Sequence, residues 1–420
     1  MKQLLTNACL LTLGGHPEGP RCGKDMGHLG VVRDGAVLIE GGRIIDVGVR
    51  DLVLRNPEAL KGRIHDAGGR VVLPGFVDCH THPVFAAPRL TDFDLRVRGK
   101  SYEEIAAAGG GILSSLAAVR GATEHDLSMR LLEQAARFLE CGTNTIEAKS
   151  GYGLDKDSEL KALRAIKHAS AGSPLEIIPT FLGAHAVPPE YKGRPADYVR
   201  MLVREVIPVV AREGLARYVD AFCEKGYFGP SETEEFLKAG IEAGLGARLH
   251  AEQLTRSGGA AVDAKLKAAS ADHLDCADAS DLALLKESGA VAVLMPGSNH
   301  FLGKPYPEAR RFLDAGLPVA LATDFNPGSC PCWNMQMILS IAVTRMRMTP
   351  EEAVTAATVN GAYALGLGGT HGALEVGKVA DLIIVDCDDY RELPYWFGAN
   401  LVSGVFKGGR LVHSTRNFRP

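Results

Sequence analysis

The chain has 420 residues, 46% of them hydrophobic, with a formal net charge of −4. That is enough apolar material for one to three domains, or for one large α/β barrel with an appendage. There is no block of like charges to recommend a nucleic acid or an anionic membrane as partner, and no apolar run long enough to cross a bilayer.

The opening "MKQLLTNACLLTLGG" loosely resembles a signal peptide, but Thr6 and Asn7 interrupt the apolar stretch and a single lysine precedes it, so it is read as a first β-strand. Residues 1–70 then carry short strand-like pieces between glycine turns, including a hairpin at Gly41-Gly42 in "GAVLIEGGRIIDVG". The last fifty residues repeat this style in "VADLIIVD" and "VFKGGRLVH", with a second hairpin at Gly408-Gly409. Two β-rich ends predict one small β domain built from both termini, residues 1–73 and 369–420, around a middle domain of residues 74–368.

The middle alternates helical segments ending at glycine with strands. Gly142, Gly214, Gly246, Gly289 and Gly316 each precede a strand, and capping boxes are expected at Ser101/Glu104, Ser231/Glu234 and Thr349/Glu352. Strands are predicted at 72–80, 143–149, 175–182, 217–223, 247–250, 271–275, 290–295 and 318–323. Eight strands with helices between them is the count of a (β/α)₈ TIM-type barrel, hence α/β class. A doubly wound open sheet fits the rhythm less well, because no glycine-rich dinucleotide loop follows the first strand.

Chemistry in such a barrel collects at the C-terminal strand ends. The first strand ends in His80 and His82, the second in Glu147, Lys149 and Tyr152, the third in His185 and the fourth in Glu224. The fifth gives His250, Glu252 and Gln253, the sixth His273, the seventh Asn299 and His300, and the eighth Asp324, Asn326, Gly328 and Ser329. Singly, each has an ordinary explanation: a lone strand-end histidine is usually a satisfied polar residue, and Asp324 before Phe-Asn-Pro-Gly could simply start a turn. His80, His82, His185, His250 and His273 with Asp324 at one face of one barrel call for a metal. Three imidazoles and a carboxylate suit Zn²⁺ or iron and leave room for a water, whose pKa such an ion lowers towards ~7. Asp324 would bind the metal and orient the water, and His273 is placed to move a proton or to hold a developing oxyanion.

"PGFVDCHTHP", "TPEEAVTAATVNGAYALGL" and "GALEVGKVADLIIVD" resemble the metal-dependent amidohydrolases, and the resemblance extends over nearly the whole chain. It implies the barrel plus composite sandwich and hydrolysis of a carbon–nitrogen bond. His80, His82, His250 and Asp324 match the ligand pattern of the single-metal branch, and His273 its sixth-strand histidine. One Zn²⁺ or Fe³⁺ ion per subunit is therefore expected, with Lys149 a charge beside the centre.

Within that superfamily, "FAAPRLTDFDLRVRGKSYEEIAAAGGGI", "EAKSGYGL", "FLGAHAVPPEY", "LHAEQL" and "TDFNPGS" resemble the imidazolonepropionase family. The resemblance implies opening of the lactam of 4-imidazolone-5-propanoate to N-formimidoyl-L-glutamate. Arg89 would clamp the substrate carboxylate, and Tyr152, His185, Gln253, Asn326, Gly328 and Ser329 would contact the rest. Gln253 stands where some members carry glutamate; an amide can orient a ring but cannot accept a proton, so Asp324 and His273 become the catalytic pair. The alternatives are a deaminase of the same branch acting on a purine or pyrimidine-type ring, and a catalytically silent binding module.

Nine scattered cysteines suit reduced thiols in a cytoplasmic protein, with Cys330-Pro-Cys332 read as two unrelated loop thiols. The expected partner is a small carboxylate-bearing molecule, with a homodimer possible. Gly109-Gly110-Gly111 would permit hinge motion of the loop after the first strand.

Overall fold

In the computed structural model, residues 2–16, 18–415 and 418 are described. Among these residues, sixteen strands fall into two sheets. The first contains β1 (Lys2–Leu11), β2 (Val31–Glu40), β3 (Arg43–Val49), β4 (Arg63–Asp66) and β5 (Val71–Pro74). The second contains β6 (Phe76–Asp78), β7 (Thr143–Lys149), β8 (Glu176–Ala184), β9 (Tyr218–Cys223), β10 (Gly246–Ala251), β11 (Ser270–His273), β12 (Val291–Leu294) and β13 (Val319–Leu321). The chain then returns to the first sheet with β14 (Leu382–Val385), β15 (Val402–Lys407) and β16 (Arg410–Ser414).

The terminal sheet has the order β16-β15-β14-β5-β1-β2-β3, with β4 pairing β1. Both expected glycine hairpins are present. They also meet: a Cβ on Gly42 would lie 3.0 Å from the Gly408 carbonyl oxygen, and Arg43 bridges Val379. The sheet is therefore rolled over on itself, around a core that includes Leu5, Leu10, Val37, Ile39, Leu382, Ile384 and Phe406.

The second sheet is parallel throughout, each strand pairing with the next in sequence from β6 to β13. Thr81 and Phe325 form a parallel bridge that brings the last strand back to the first. The Asp324 amide donates to the His80 carbonyl at 3.1 Å, and the His82 amide to that of Phe325 at 2.8 Å. Closure of the barrel thus happens at His80, His82 and Asp324 themselves.

One expectation is corrected here. The single strand foreseen at 72–80 is two strands in different sheets: β5 pairs with β14, and β6 with β7. The chain changes sheets at Gly75, where a Cβ would fall 2.3 Å from the Asn144 carboxamide. A continuous apolar run does not reveal such a break, because both halves are buried.

Capping boxes form at Thr349/Glu352 and Ser101/Glu104. Ser231 is not a cap: the helix Pro230–Glu242 starts one residue earlier, behind Gly229. That helix ends through Gly244, with φ +88°, rather than Gly246, which is already the first residue of β10. No described helix is long and apolar enough to cross a membrane.

Alternation along the strands fills the barrel in layers. Val77, Ile178, Tyr218, Val291, Val293 and Ala320 pack with Ala362, Ala364 and Leu365, which plug the bottom. Glu147, Lys149, Asp220, Arg248 and Asp272 lie above them, all wholly inaccessible to solvent. The histidines stand on top.

A candidate metal centre at the barrel mouth

The charged layer determines how the histidines point. His80 donates from Nδ1 to Asp272 Oδ2 at 2.6 Å, and His250 from Nδ1 to Asp220 Oδ1 at 3.0 Å. Each ring then turns its Nε2 upwards. Lys149 Nζ joins these supports, 2.6 Å from Asp220 Oδ2, 2.7 Å from Glu147 Oε2 and 3.9 Å from Asp272 Oδ2. Arg248 completes the layer, with Nη2 on the Cys79 carbonyl at 2.7 Å and on Asp272 at 3.2 Å, and Nη1 on the Ala364 carbonyl at 2.6 Å. Three carboxyl groups, Glu147, Asp220 and Asp272, face the two cations in this buried layer under the histidines.

Four ligand atoms converge above it. His80 Nε2 and His82 Nε2 are 3.2 Å apart, and His82 Nε2 and His250 Nε2 3.4 Å. Asp324 Oδ1 lies 3.8 Å from His80 Nε2 and 3.6 Å from His82 Nε2. Ligands ~2.1 Å from a tetrahedral ion stand ~3.4 Å from one another, so the donor set fits one metal ion without rearrangement. A nitrogen of His273 also comes within 4.8 Å of the His80 and Asp324 donor atoms.

The protonation states suit the same conclusion. Burial, reinforced by neighbouring positive groups, holds His80, His82 and His273 well below the usual histidine range, so they stay neutral. Burial pushes the Asp324 carboxyl up to about 6, against the pull of His250; a buried acid that ionises reluctantly gains from a cation beside it. Burial likewise opposes ionisation of Asp220, but His250 and Lys149 prevail and hold it well below the ordinary range. His273 and Asp324 also take left-handed backbone, φ +80° and +55°, costly for residues with a Cβ and characteristic of functional sites.

One cavity over the cluster is lined by His82, Arg89, Tyr152, His185, His250, Gln253, His273, Asp324, Asn326 and Ser329. Arg89 reaches it with Nε bonded to Ser115 Oγ at 2.9 Å, its guanidinium over the Tyr152 ring at 5.2 Å, and a buried Nη2 that has no hydrogen-bond partner among the described residues. His185 donates from Nδ1 to the Gly151 carbonyl at 2.9 Å; burial holds it down to about 3, so Nε2 is a neutral acceptor.

Gly328 is placed differently from the other rim residues. Its amide is taken by Asn326 Oδ1 at 2.8 Å and its carbonyl by Arg96 Nη1 at 3.0 Å. A Cβ there would lie 2.4 Å from Arg89 Nη1, so its contribution is room for the guanidinium.

Other strand-end residues stay out of the cavity. Glu224 accepts from the Leu254 and Thr255 amides at 2.8 and 3.2 Å, and Glu252 from Gly258 and Ala260 at 3.1 and 3.0 Å, shaping the turns there. His300 is exposed beside Tyr306. Conversely, Ile112, Phe222, Leu254, Leu302 and Lys304 line the cavity without having been singled out. The carboxylates Asp220 and Asp272 also went unread, although a charge amid "YVDAFC" or "SADH" is a signal in itself.

Comparison with known proteins gives this arrangement its family. Residues 228–412 match the Amidohydrolase family model. An imidazolonepropionase of Solibacter usitatus is 47% identical over 98% of both chains, and one of Symbiobacterium thermophilum 45% identical over 96% of this chain and 95% of its own. The chain belongs to the imidazolonepropionase family. A zinc-bound adenosine deaminase of Xanthomonas campestris superimposes with a TM-score of 0.68 at 18% identity, covering 99% of this chain and 94% of its own; at that identity the likeness is one of fold. Family membership and the histidine cluster together make the barrel mouth a metal site.

Proposed function

We propose that the chain hydrolyses the lactam C–N bond of 4-imidazolone-5-propanoate to N-formimidoyl-L-glutamate, a step of histidine degradation. The observation that carries this reading is one cavity lined both by His82, His250 and Asp324 of the cluster and by Arg89, whose buried Nη2 has no hydrogen-bond partner among the described residues. A purely hydrolytic centre has no need of a guanidinium across the cavity; a substrate with a propionate tail does.

His80, His82, His250 and Asp324 would hold a single Zn²⁺ or Fe³⁺ ion. Such an ion supplies Lewis acidity, which makes water nucleophilic near neutral pH and stabilises charge developing on a carbonyl oxygen.

The remaining work belongs to side chains. Arg89 binds the propionate, steadied by Tyr152 beneath its guanidinium. His185, with its proton fixed on Nδ1, accepts from a ring N–H through Nε2. Gln253 orients the ring but cannot take a proton, so proton transfer falls to Asp324 and His273. Asn326 and Ser329, bonded to each other at 2.6 Å, form the far wall.

The test is turnover of freshly generated imidazolonepropionate, followed by loss of its ultraviolet absorbance, in parent and Arg89→Ala proteins. The reading expects rapid loss without ammonia release, weakened in the variant mainly through KM. A metal-loaded parent that leaves the compound intact, or that liberates ammonia from it, overturns the assignment; release from an amino-substituted ring would instead mark a deaminase.

A further inference from the structure

Beyond His273 the chain turns sharply through Leu274, φ +62°, and places Asp275 against a second cavity beside the catalytic one. This side cavity, about 230 Å³, is also lined by Cys276, Ser298, Asn299, Pro305 and Tyr306. Gln253, Leu254, Leu302 and Lys304 line both cavities and form the neck between them.

Asp275 has no part in the chemistry described so far, yet it is held with care. Oδ1 accepts from Asn299 Nδ2 at 2.6 Å, and the same nitrogen is anchored on the Pro305 carbonyl at 2.8 Å. Oδ2 is turned towards His273, 4.0 Å from Nδ1. The carboxyl side chain is 15% exposed, so the cavity gives it a path to water. Contacts between catalytic groups are often this loose before substrate binds and tighten afterwards.

We propose that Asp275 is a positioning residue for His273: Oδ2 takes the Nδ1–H of the imidazole, leaving Nε2 as the basic nitrogen on the substrate side, and the side cavity connects the pair to solvent. The proposal rests on the hydrolytic reading above. In that reaction the water oxygen bonds to the lactam carbonyl carbon and one water proton passes to His273 Nε2. The C–N bond then breaks, the proton moves from Nε2 to the departing nitrogen, and the new carboxylic acid gives its remaining proton to solvent. The proton on Nδ1 stays there, hydrogen-bonded to Asp275 Oδ2, so the imidazole ends as it began.

The charged surroundings agree. His273, Lys304, Cys276 and Asp324 are the titratable groups that face Asp275. Burial pushes its carboxyl up to about 7, opposed by the Asn299 hydrogen bond and by Lys304.

The experiment compares parent, Asp275→Asn, Asp275→Glu and Asn299→Ala proteins for bound metal per chain, KM and kcat on imidazolonepropionate. Asp275→Asn is expected to keep one metal ion and a KM within about two-fold, while kcat falls at least ~10-fold, as general acid–base effects do. Asp275→Glu should recover part of that loss, and Asn299→Ala should lower kcat in the same direction by less. A kcat within two-fold of the parent in Asp275→Asn, a loss confined to KM, or a loss that tracks missing metal overturns the proposal. A parent that fails to open the lactam overturns the hydrolytic reading instead, so the two failures are distinct.

Discussion

The floor and the rim of the catalytic cavity are built by different means. On the floor, His80 and His250 stand on barrel strands or their immediate extensions, backed by Asp272 and Asp220, which are in turn tied to Lys149 and Arg248. Every group there is buried. On the rim, Arg89, Arg96 and Ile112 lie in the long segment between β6 and β7, attached by a handful of contacts. Asp92 accepts from the Gly111 amide at 2.8 Å, Arg96 holds the Gly328 carbonyl, and Phe93 stacks on Phe301 at 5.9 Å. The difference is that the proposed metal ligands are oriented by a buried network, whereas the proposed substrate contact Arg89 lies on a segment held by few contacts.

Perturbing the floor should therefore cost most. His82→Ala is expected to abolish metal binding and reduce turnover to background, measured as metal per chain and loss of substrate absorbance. Asp220→Asn keeps all four ligands but removes the acceptor that fixes His250, and should weaken metal affinity by ~10–100-fold, read by chelator competition. If Asp220→Asn bound metal as tightly as the parent, the buried network would not be what orients the floor. At the rim, Arg89→Ala should lower kcat/KM ~10–100-fold, the worth of a charge-assisted hydrogen bond, chiefly through KM and with metal retained. Arg96→Ala, which releases only the Gly328 carbonyl, should change kcat/KM by a few-fold at most.

A pH prediction sharpens the same contrast. His185 titrates near 6.5 when unfolded but is held down to about 3 in the fold. Between those values the unfolded chain binds a proton that the folded chain refuses, so stability falls as pH is lowered through that window. In metal-free protein His185→Phe should flatten the decline of Tm below pH ~6.5, with an effect of up to ~1.4 kcal/mol per pH unit. An unchanged slope would mean that His185 is not held neutral by its surroundings.

The floor was the more legible part of the sequence. Strand ends in a parallel barrel are found from glycine-terminated helices, and histidines are rare enough for their coincidence at those ends to carry weight. The supporting carboxylates escaped because Asp220 and Asp272 sit inside strands rather than at their ends, although alternation places Asp220 on the face of Phe222. The break at Gly75 left no trace in hydrophobicity, being set by packing against Asn144, far away in sequence. Asn299 and His300, polar residues just past the seventh strand, stand on the helix Pro296–Leu302, where Asn299 turns to Asp275 and His300 is exposed. Within Gly109-Gly110-Gly111, a Cβ on Gly110 would fall 2.5 Å from Ile105 and 2.8 Å from Asp92 Oδ1, so that glycine is closely packed.

The most direct test of the account is a metal titration of chelator-stripped protein, with Zn²⁺ and Fe³⁺ in parallel, following imidazolonepropionate turnover. The account predicts no activity at the start and a linear rise that breaks at one equivalent per chain. Full activity in the stripped protein, or a break at two equivalents, would contradict a single metal held by His80, His82, His250 and Asp324.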